Sequence, residues 1–180
     1  MSSAKAPLIW LDLEMTGLEP DRDTIMEIGT VVTDSELNVI AEGPVLAIYQ
    51  PDAVLAAMDA WCTEHHGKSG LTQRCRDSKV TMEAAEERTL EFLKKHGKPG
   101  VSPLCGNSIS QDRRFLCKYM PTLNSFFHYR NVDVSSIKEL VNRWYPSTLH
   151  APPKKKTHYV LDDVRESIEE LRFYRKFIFK

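Results

Sequence analysis

Leu8-Ile9-Trp10-Leu11 opens an apolar run that continues to Leu13, the pattern of a central strand covered on both faces. Asp12 and Glu14 interrupt it, and Thr16-Gly17-Leu18-Glu19-Pro20 is a turn-rich exit. A second strand-like run goes from Ile25 to Thr33 and a third from Val39 to Tyr49. The polar connection Asp34-Ser35-Glu36-Leu37-Asn38 between them is short, as a hairpin needs. Beyond Pro51 the pattern turns helical. Asp52 is placed to cap Ala53 to Met58, a second short piece carries Trp61 to His66, and Thr81 caps a longer helix to about Lys95, with Gly97 stopping it. Glu83, Glu86 and Glu87 fall in the early turns of that helix, where the dipole favours acids. Val101 to Cys105 reads as a short strand, Gly106-Asn107-Ser108 as a turn, and Gln111 to Met120 as a helix closed by Pro121. Tyr129 to Val134 is another strand, and Ser135 begins a helix to Trp144. Tyr145 to Thr157 holds three prolines and the run Lys154-Lys155-Lys156, hence a loop. From about Tyr159 the chain is helical again, with Val160, Val164, Ile168 and Leu171 as an apolar stripe. Antiparallel-looking strands first, then strands separated by helices, describe an α/β domain with a mixed central sheet flanked by helices.

At 180 residues and 42% hydrophobic content the chain is long enough for one core and short for two, so a single domain spanning 1–180 is expected. No run of about 18 apolar residues could span a bilayer, and the opening MSSAKAP has no apolar stretch behind a basic start. No membrane partner is expected, and an intracellular location, cytoplasmic or mitochondrial, is. Four scattered cysteines point to reduced thiols, and Cys62 with His65 lacks the second pair that a zinc site needs. The near balance of 24 Lys plus Arg against 25 Asp plus Glu argues against tracking a long nucleic acid, which is the work of visibly basic proteins. Any nucleic-acid substrate should be short.

The local signal with most chemistry in it is Asp12-Leu13-Glu14. Alternation along a strand puts both carboxylates on one side of the sheet and Leu13 on the other. Two neighbouring like charges are costly to desolvate, and a divalent cation with a preference for hard oxygen ligands removes that cost. Asp112 follows a strand and a turn at the start of a helix, where α/β proteins present ligands. His158 closes the polar loop, and Asp162 and Asp163 stand in the opening turn of the last helix. Each of these alone has a bland reading as a solvated residue or a first-turn acid. Together, carboxylates and one histidine drawn from separate strand and helix ends are the inventory of two-metal phosphodiester hydrolysis, with the imidazole as base. Spacing does not choose between Asp162 and Asp163.

Asp12-x-Glu14, Asp112, and His158 followed by Asp163 resemble the DEDDh class of 3′→5′ exonucleases, which has an RNase H-like fold. Along nearly the whole length the chain is similar to the oligoribonuclease family: WLDLEMTGL, WCTEHHGKSGLT, LCGNSISQDRRFL, KYMP, HYRNVDVSSIKEL and LDDVRESIEELRFY all match its landmarks. AEGP, WCTEHHGKSGLT and the ending RKFIF look closer to the animal, small-RNA-fragment branch of the family. The resemblance implies a hydrolase of RNA degradation that cuts short oligoribonucleotides, dinucleotides above all, to nucleoside 5′-monophosphates. Asp12, Glu14, Asp112 and Asp163 would hold two Mg²⁺ or Mn²⁺ ions, and His158 would be the general base.

Leu18 and Trp61 would grip the bases, as stacking does without regard to sequence, and His66 and Ser108 would touch the substrate. Arg130, Ser135 and Ser136 would cap its 5′ end, helped by the helix N-terminus after Val134. Tyr129, with His128, would reach across a twofold axis into a neighbouring subunit, so a homodimer is implied. One departure is visible: His158-Tyr159-Val160-Leu161 is bulkier than the usual H-x-A-L. The competing readings are a proofreading-type DNA exonuclease of the same fold and a catalytically silent RNA-binding protein.

Overall fold

The apolar N-terminal run forms β1 (Leu8–Met15), followed by β2 (Ile25–Thr33), in a computed structural model that describes residues 5–146, 149, 151 and 159–179. All nine positions of β2, Glu27 among them, are buried, and its bounds are those of the expected run. β1 and β2 pair antiparallel, with Trp10 opposite Val31, Asp12 opposite Gly29 and Glu14 opposite Glu27. The run expected from Val39 to Tyr49 is instead two short strands, β3 (Val39–Glu42) and β4 (Leu46–Ala47), both paired with β2. Gly43-Pro44 separates them, and proline has no N–H to give a ladder.

Four helices follow: α1 (Asp52–Ala56), α2 (Ala60–Lys68), α3 (Leu71–Asp77) and α4 (Met82–Lys94). Asp52 is the first residue of α1 rather than its cap, a position held by Pro51. Asp59 caps α2 by accepting from Cys62 N, and Thr81 caps α4 by accepting from Ala84 N. β5 (Pro103–Gly106) runs parallel to β1, α5 (Ile109–Tyr119) comes next, and Pro121 then opens α6 (Pro121–Phe126) instead of only closing the helix before it. Proline suits that first position because its missing N–H has no partner to lose. β6 (His128–Asp133) pairs parallel with β5, α7 (Val134–Trp144) is capped by Asp133, and α8 (Val160–Phe177) is the last element.

The sheet order is β3-β2-β1-β5-β6, with β4 beside β2, a mixed sheet with helices against it as the pattern predicts. Alternation sorts most of its residues onto two cores, one on each face, while Met26 joins a smaller cluster with Leu55, Leu71 and Cys75. Ile9, Leu11, Leu13 and Ile28 pack with residues of α4, α5 and α6, including Leu93, Phe115 and Leu123. On the opposite face Trp10 and Val31 pack with Val164 and Ile168 of α8 and Val134 and Val141 of α7. Among the described residues no helix is long and apolar enough to cross a membrane.

Candidate active site

The face of β1 that buries Trp10 also carries Asp12 and Glu14, two and four residues further on, as strand alternation requires. α8 lies over this face. Its stripe of Val160, Val164 and Ile168 is buried against the sheet, which brings Asp163 of the first turn down beside the β1 acids. Asp12, Glu14 and Asp163 each offer a carboxylate oxygen within 4.8 Å of the others. Asp162, the alternative that spacing left open, pairs instead with Arg165 at 3.1 Å.

Asp112 comes from the other side. β5 last pairs with β1 at Trp10 opposite Cys105, and beyond that point Leu13 N donates to Asp112 Oδ1 at 3.0 Å. A carboxylate from the first turn of α5 thus takes the place of a ladder partner, which fixes Asp112 against the backbone between Asp12 and Glu14. Asp112 is only 5% exposed.

The electrostatics of the cluster are unfavourable as it stands. Burial pushes the Glu14 carboxyl up to about 8, and the negative charges of Asp163, Glu27 and Asp112 add to this while Arg74 opposes it. Burial likewise raises Asp112 to about 7 against the pull of its backbone N–H bonds, with Asp133 adding a smaller push. Clustered carboxylates that resist ionising are what a hard divalent cation relieves, and an all-oxygen donor set suits Mg²⁺ or Mn²⁺ rather than a soft metal. The residues present therefore fit such ions.

His66, expected on the substrate side, is buried. Its Nε2–H donates to Met15 O at 2.9 Å, since a carbonyl can only accept, and Nδ1 lies 3.8 Å from Glu14 Oε2. The ring therefore braces the end of β1. Leu18 and Trp61 are exposed, at 64% and 57%, with Trp61 stacked on His65 at 3.9 Å between ring centroids. Leu18 O accepts from Gln111 Nε2 and Arg114 Nη1 of α5, tying the Leu18 turn to the helix that carries Asp112.

Ser108 and Ser135 come together through Asp133: Ser108 N donates to Asp133 Oδ1 at 3.0 Å and to Ser135 Oγ at 3.2 Å, and Ser135 Oγ–H donates to Asp133 Oδ1 at 2.6 Å. Ser136 is exposed on the next position of α7. On the edge strand β6, Tyr129 is 74% exposed, flanked by His128 at 4.3 Å and by the Arg130 guanidinium 5.3 Å from its ring centroid. His158 lies outside the described residues, as do Lys154, Lys155 and Lys156.

Sequence reasoning did not find Glu27, Arg74 or Asp133. Glu27 is buried directly opposite Glu14 and accepts from Arg74 Nη2 at 2.9 Å. A signal existed: an acid inside the apolar run Ile25 to Thr33 has to find a partner to be buried there. Asp133 was within reach too, as an aspartate immediately before a helix.

The exonuclease family model matches residues 9–171. The oligoribonuclease of Marinobacter nauticus is 60% identical over 173 residues, covering 96% of each chain. That of Shewanella loihica is 58% identical over 180 residues, covering 100% of this chain and 99% of its own. Among solved structures, exonuclease I of Methylocaldum szegediense superposes with a TM-score of 0.72 at 19% identity. Exonuclease I of E. coli in complex with a dA16 oligonucleotide does so with a TM-score of 0.74 at 16%. This chain is covered to 96% in both but spans only 41% of either exonuclease I chain, so these likenesses speak for the fold alone. With acids gathered on an exonuclease fold and relatives this similar from end to end, the chain is a nuclease that belongs to the exonuclease family and, within it, to the oligoribonucleases.

Proposed function

We propose that the protein is a single-domain 3′→5′ exoribonuclease that hydrolyses short oligoribonucleotides, dinucleotides in particular, to nucleoside 5′-monophosphates. The observation that carries this reading is the convergence of Asp12, Glu14 and Asp163 within 4.8 Å, with Asp112 hydrogen-bonded to the backbone between the first two. Asp12, Glu14, Asp112 and Asp163 would hold two Mg²⁺ or Mn²⁺ ions, which would supply the charge that activates water and stabilises the leaving oxygen. His158, two residues before α8, takes the proton from the attacking water. The burial that raises Glu14 and Asp112 makes their ionisation near neutral pH costly, a cost that a bound cation would offset.

Leu18 and Trp61 offer exposed apolar surface for the bases, and Ser108, Arg130, Ser135 and Ser136 close the 5′ end. Asp133 organises that closed end by holding Ser108 N and Ser135 Oγ together. A site capped there has no path for a longer strand, in keeping with the near-neutral net charge of −1. His128 and Tyr129 complete the site of a second subunit in a homodimer, a reading supported by an aromatic left exposed on an edge strand.

The test is turnover of end-labelled RNA in a length series from two nucleotides upward, beside a long single-stranded DNA, with Mn²⁺ and with chelator. Metal-dependent release of mononucleotides, fastest from the dinucleotide, is expected. Preference for the long DNA would replace the reading with a proofreading-type enzyme, and binding without cleavage would leave a silent RNA-binding protein. Tyr129→Ala should slow dinucleotide cleavage sharply with an unchanged melting temperature; full activity in a strictly monomeric sample would remove the homodimer.

A further inference from the structure

We infer that Gly29 is a positioning residue: the notch it leaves in β2, filled by Val160, sets how closely α8 brings Asp163 to Asp12 and Glu14. This rests on the reading of those acids as a cation site. Gly29 stands directly opposite Asp12 in the β1–β2 ladder, so a side chain there would project from the same face as the Asp12 carboxylate, toward α8. A Cβ on Gly29 would lie 2.5 Å from Val160 Cγ1, 3.4 Å from Val160 Cγ2 and 3.5 Å from Leu161 Cδ2. Ordinary carbon contacts are about 3.5–4.0 Å, so even one methyl group demands a displacement on the order of 1 Å. Gly29 is not among the glycines with positive φ, which are Gly70 and Gly100. Space, not backbone conformation, is therefore what the glycine supplies.

The displacement cannot be absorbed by the valine alone. Val160 is 1% exposed and β-branched at the first residue of a helix, where its χ1 is restricted. The first turn is also tied together: Asp163 N donates to Tyr159 O at 3.1 Å, and Ser167 Oγ–H donates to Asp163 O at 2.8 Å. Relief has to come from the end of α8 lifting off the sheet, and Asp163, one turn along from Val160, is carried with it. The bulk of Val160, a departure from the usual H-x-A-L, is thus matched by the absence of a side chain at Gly29.

The experiment is a double-mutant cycle on the full-length protein with Gly29→Ala, Val160→Ala and the two combined. It is read by calorimetric titration with Mn²⁺ alone, by melting of the metal-free protein, and by kcat and KM on an RNA dinucleotide. Gly29→Ala is expected to weaken Mn²⁺ binding at least tenfold and to lower kcat on the order of 100-fold with KM within about twofold, the scale for a catalytic group misplaced by about 1 Å. The combined variant should recover both. A merely structural role would lower melting without the split between kcat and KM and without recovery of metal binding.

Unchanged Mn²⁺ affinity in Gly29→Ala, or a combined variant as defective as Gly29→Ala, would overturn the inference. If Gly29→Ala does not fold, the combined variant decides: it should fold and bind Mn²⁺ as the wild type does, and failure to do so refutes the notch. Wild-type protein that binds no Mn²⁺ would instead refute the cation site itself.

Discussion

The two ends of the β1–β2 ladder sit on one face of one sheet under one helix, yet they do opposite things. At one end Trp10 and Val31 pack with Val164 and Ile168, and the Trp10 indole N–H donates to Thr33 Oγ1 at 3.0 Å, so the only polar atom of the tryptophan is satisfied. At the other end, two rungs on, the same face holds Glu14 opposite Glu27, and between them Asp12 opposite Gly29. The apolar end lowers the energy of the fold, whereas the acidic end raises it, as the elevation of Glu14 to about 8 records. α8 is clamped by the first and thereby made to hold Asp163 against the second. On the proposed reading, function is an unfavourable charge arrangement kept in place by packing a few residues away, and it should be separable from stability by substitution.

The largest effect expected is on cleavage. Asp163→Asn removes one of three clustered carboxylates without changing its shape, and should lower dinucleotide cleavage on the order of 10²–10³-fold or more, the scale for losing one preorganised electrostatic contact. The metal-free variant should melt no lower than the wild type, because a like charge has been deleted. A fall in both together would mean that the acidic end contributes to folding, and the contrast between the two ends would collapse. Trp10→Ala probes the opposite end. It removes a fully buried side chain and leaves Thr33 Oγ1 without its donor, so a loss of about 3–5 kcal/mol in denaturant unfolding is expected. The protein that remains folded should still bind Mn²⁺.

Arg74 joins the two behaviours. Its guanidinium pairs with buried Glu27 at 2.9 Å and donates to Ser69 O at 2.9 Å, while its charge restrains the elevation of Glu14. Arg74→Ala leaves Glu27 buried without that ion pair. The expected cost is on the order of 2 kcal/mol, below the about 3–5 kcal/mol of a fully buried pair because the arginine is partly exposed. Mn²⁺ affinity should also change, upward, because losing the guanidinium charge favours a divalent cation more than it favours one proton on Glu14. Calorimetry and urea unfolding on one preparation measure both, and a loss of stability with metal affinity untouched would show that Arg74 belongs to the packing alone.

Much of this was legible in the chain. β2 could be read to the residue because every position is buried and polar residues bound it. The Asp12 and Glu14 pair followed from alternation and Asp112 from its place in an opening turn, whereas the opening turn of α8 offered Asp162 and Asp163 alike and only the family resemblance chose Asp163. α3 and α6 escaped, since at seven and six residues they are too short for periodicity to register, and tertiary packing of Leu71, Cys75, Leu123 and Phe126 decides them. Glu27 with Arg74 and Asp133 with Ser108 escaped for a related reason. Each partner lies far along the chain from the group it serves, and only the packing of α3 on β2 and the pairing of β5 with β6 make them neighbours.

The smallest effect is a pH dependence, and it tests the contrast without touching the apolar end. An acid whose folded pKa is raised leaves the folded state holding a proton that the unfolded state has lost, so its contribution to stability falls as pH rises between the two values. For Glu14 that window runs from 4.5 to about 8, and for Asp112 from 3.8 to about 7. In chelator, Glu14→Gln should match the wild type in urea midpoint near pH 5 and become progressively more stable than it toward pH 8. The groups facing Glu14 are Asp12, Asp163, Glu27, Asp112 and His66, with Arg74 opposing, and all are retained in the variant, so the difference reads the removal of one carboxyl. Saturating Mn²⁺ should reverse the order, stabilising the wild type more at pH 8 than at pH 5, because the cation then binds acids that have already given up their protons. A wild type that gains on Glu14→Gln with rising pH in chelator would show that the acids repel less than their burial dictates, and that the ladder has no unfavourable end.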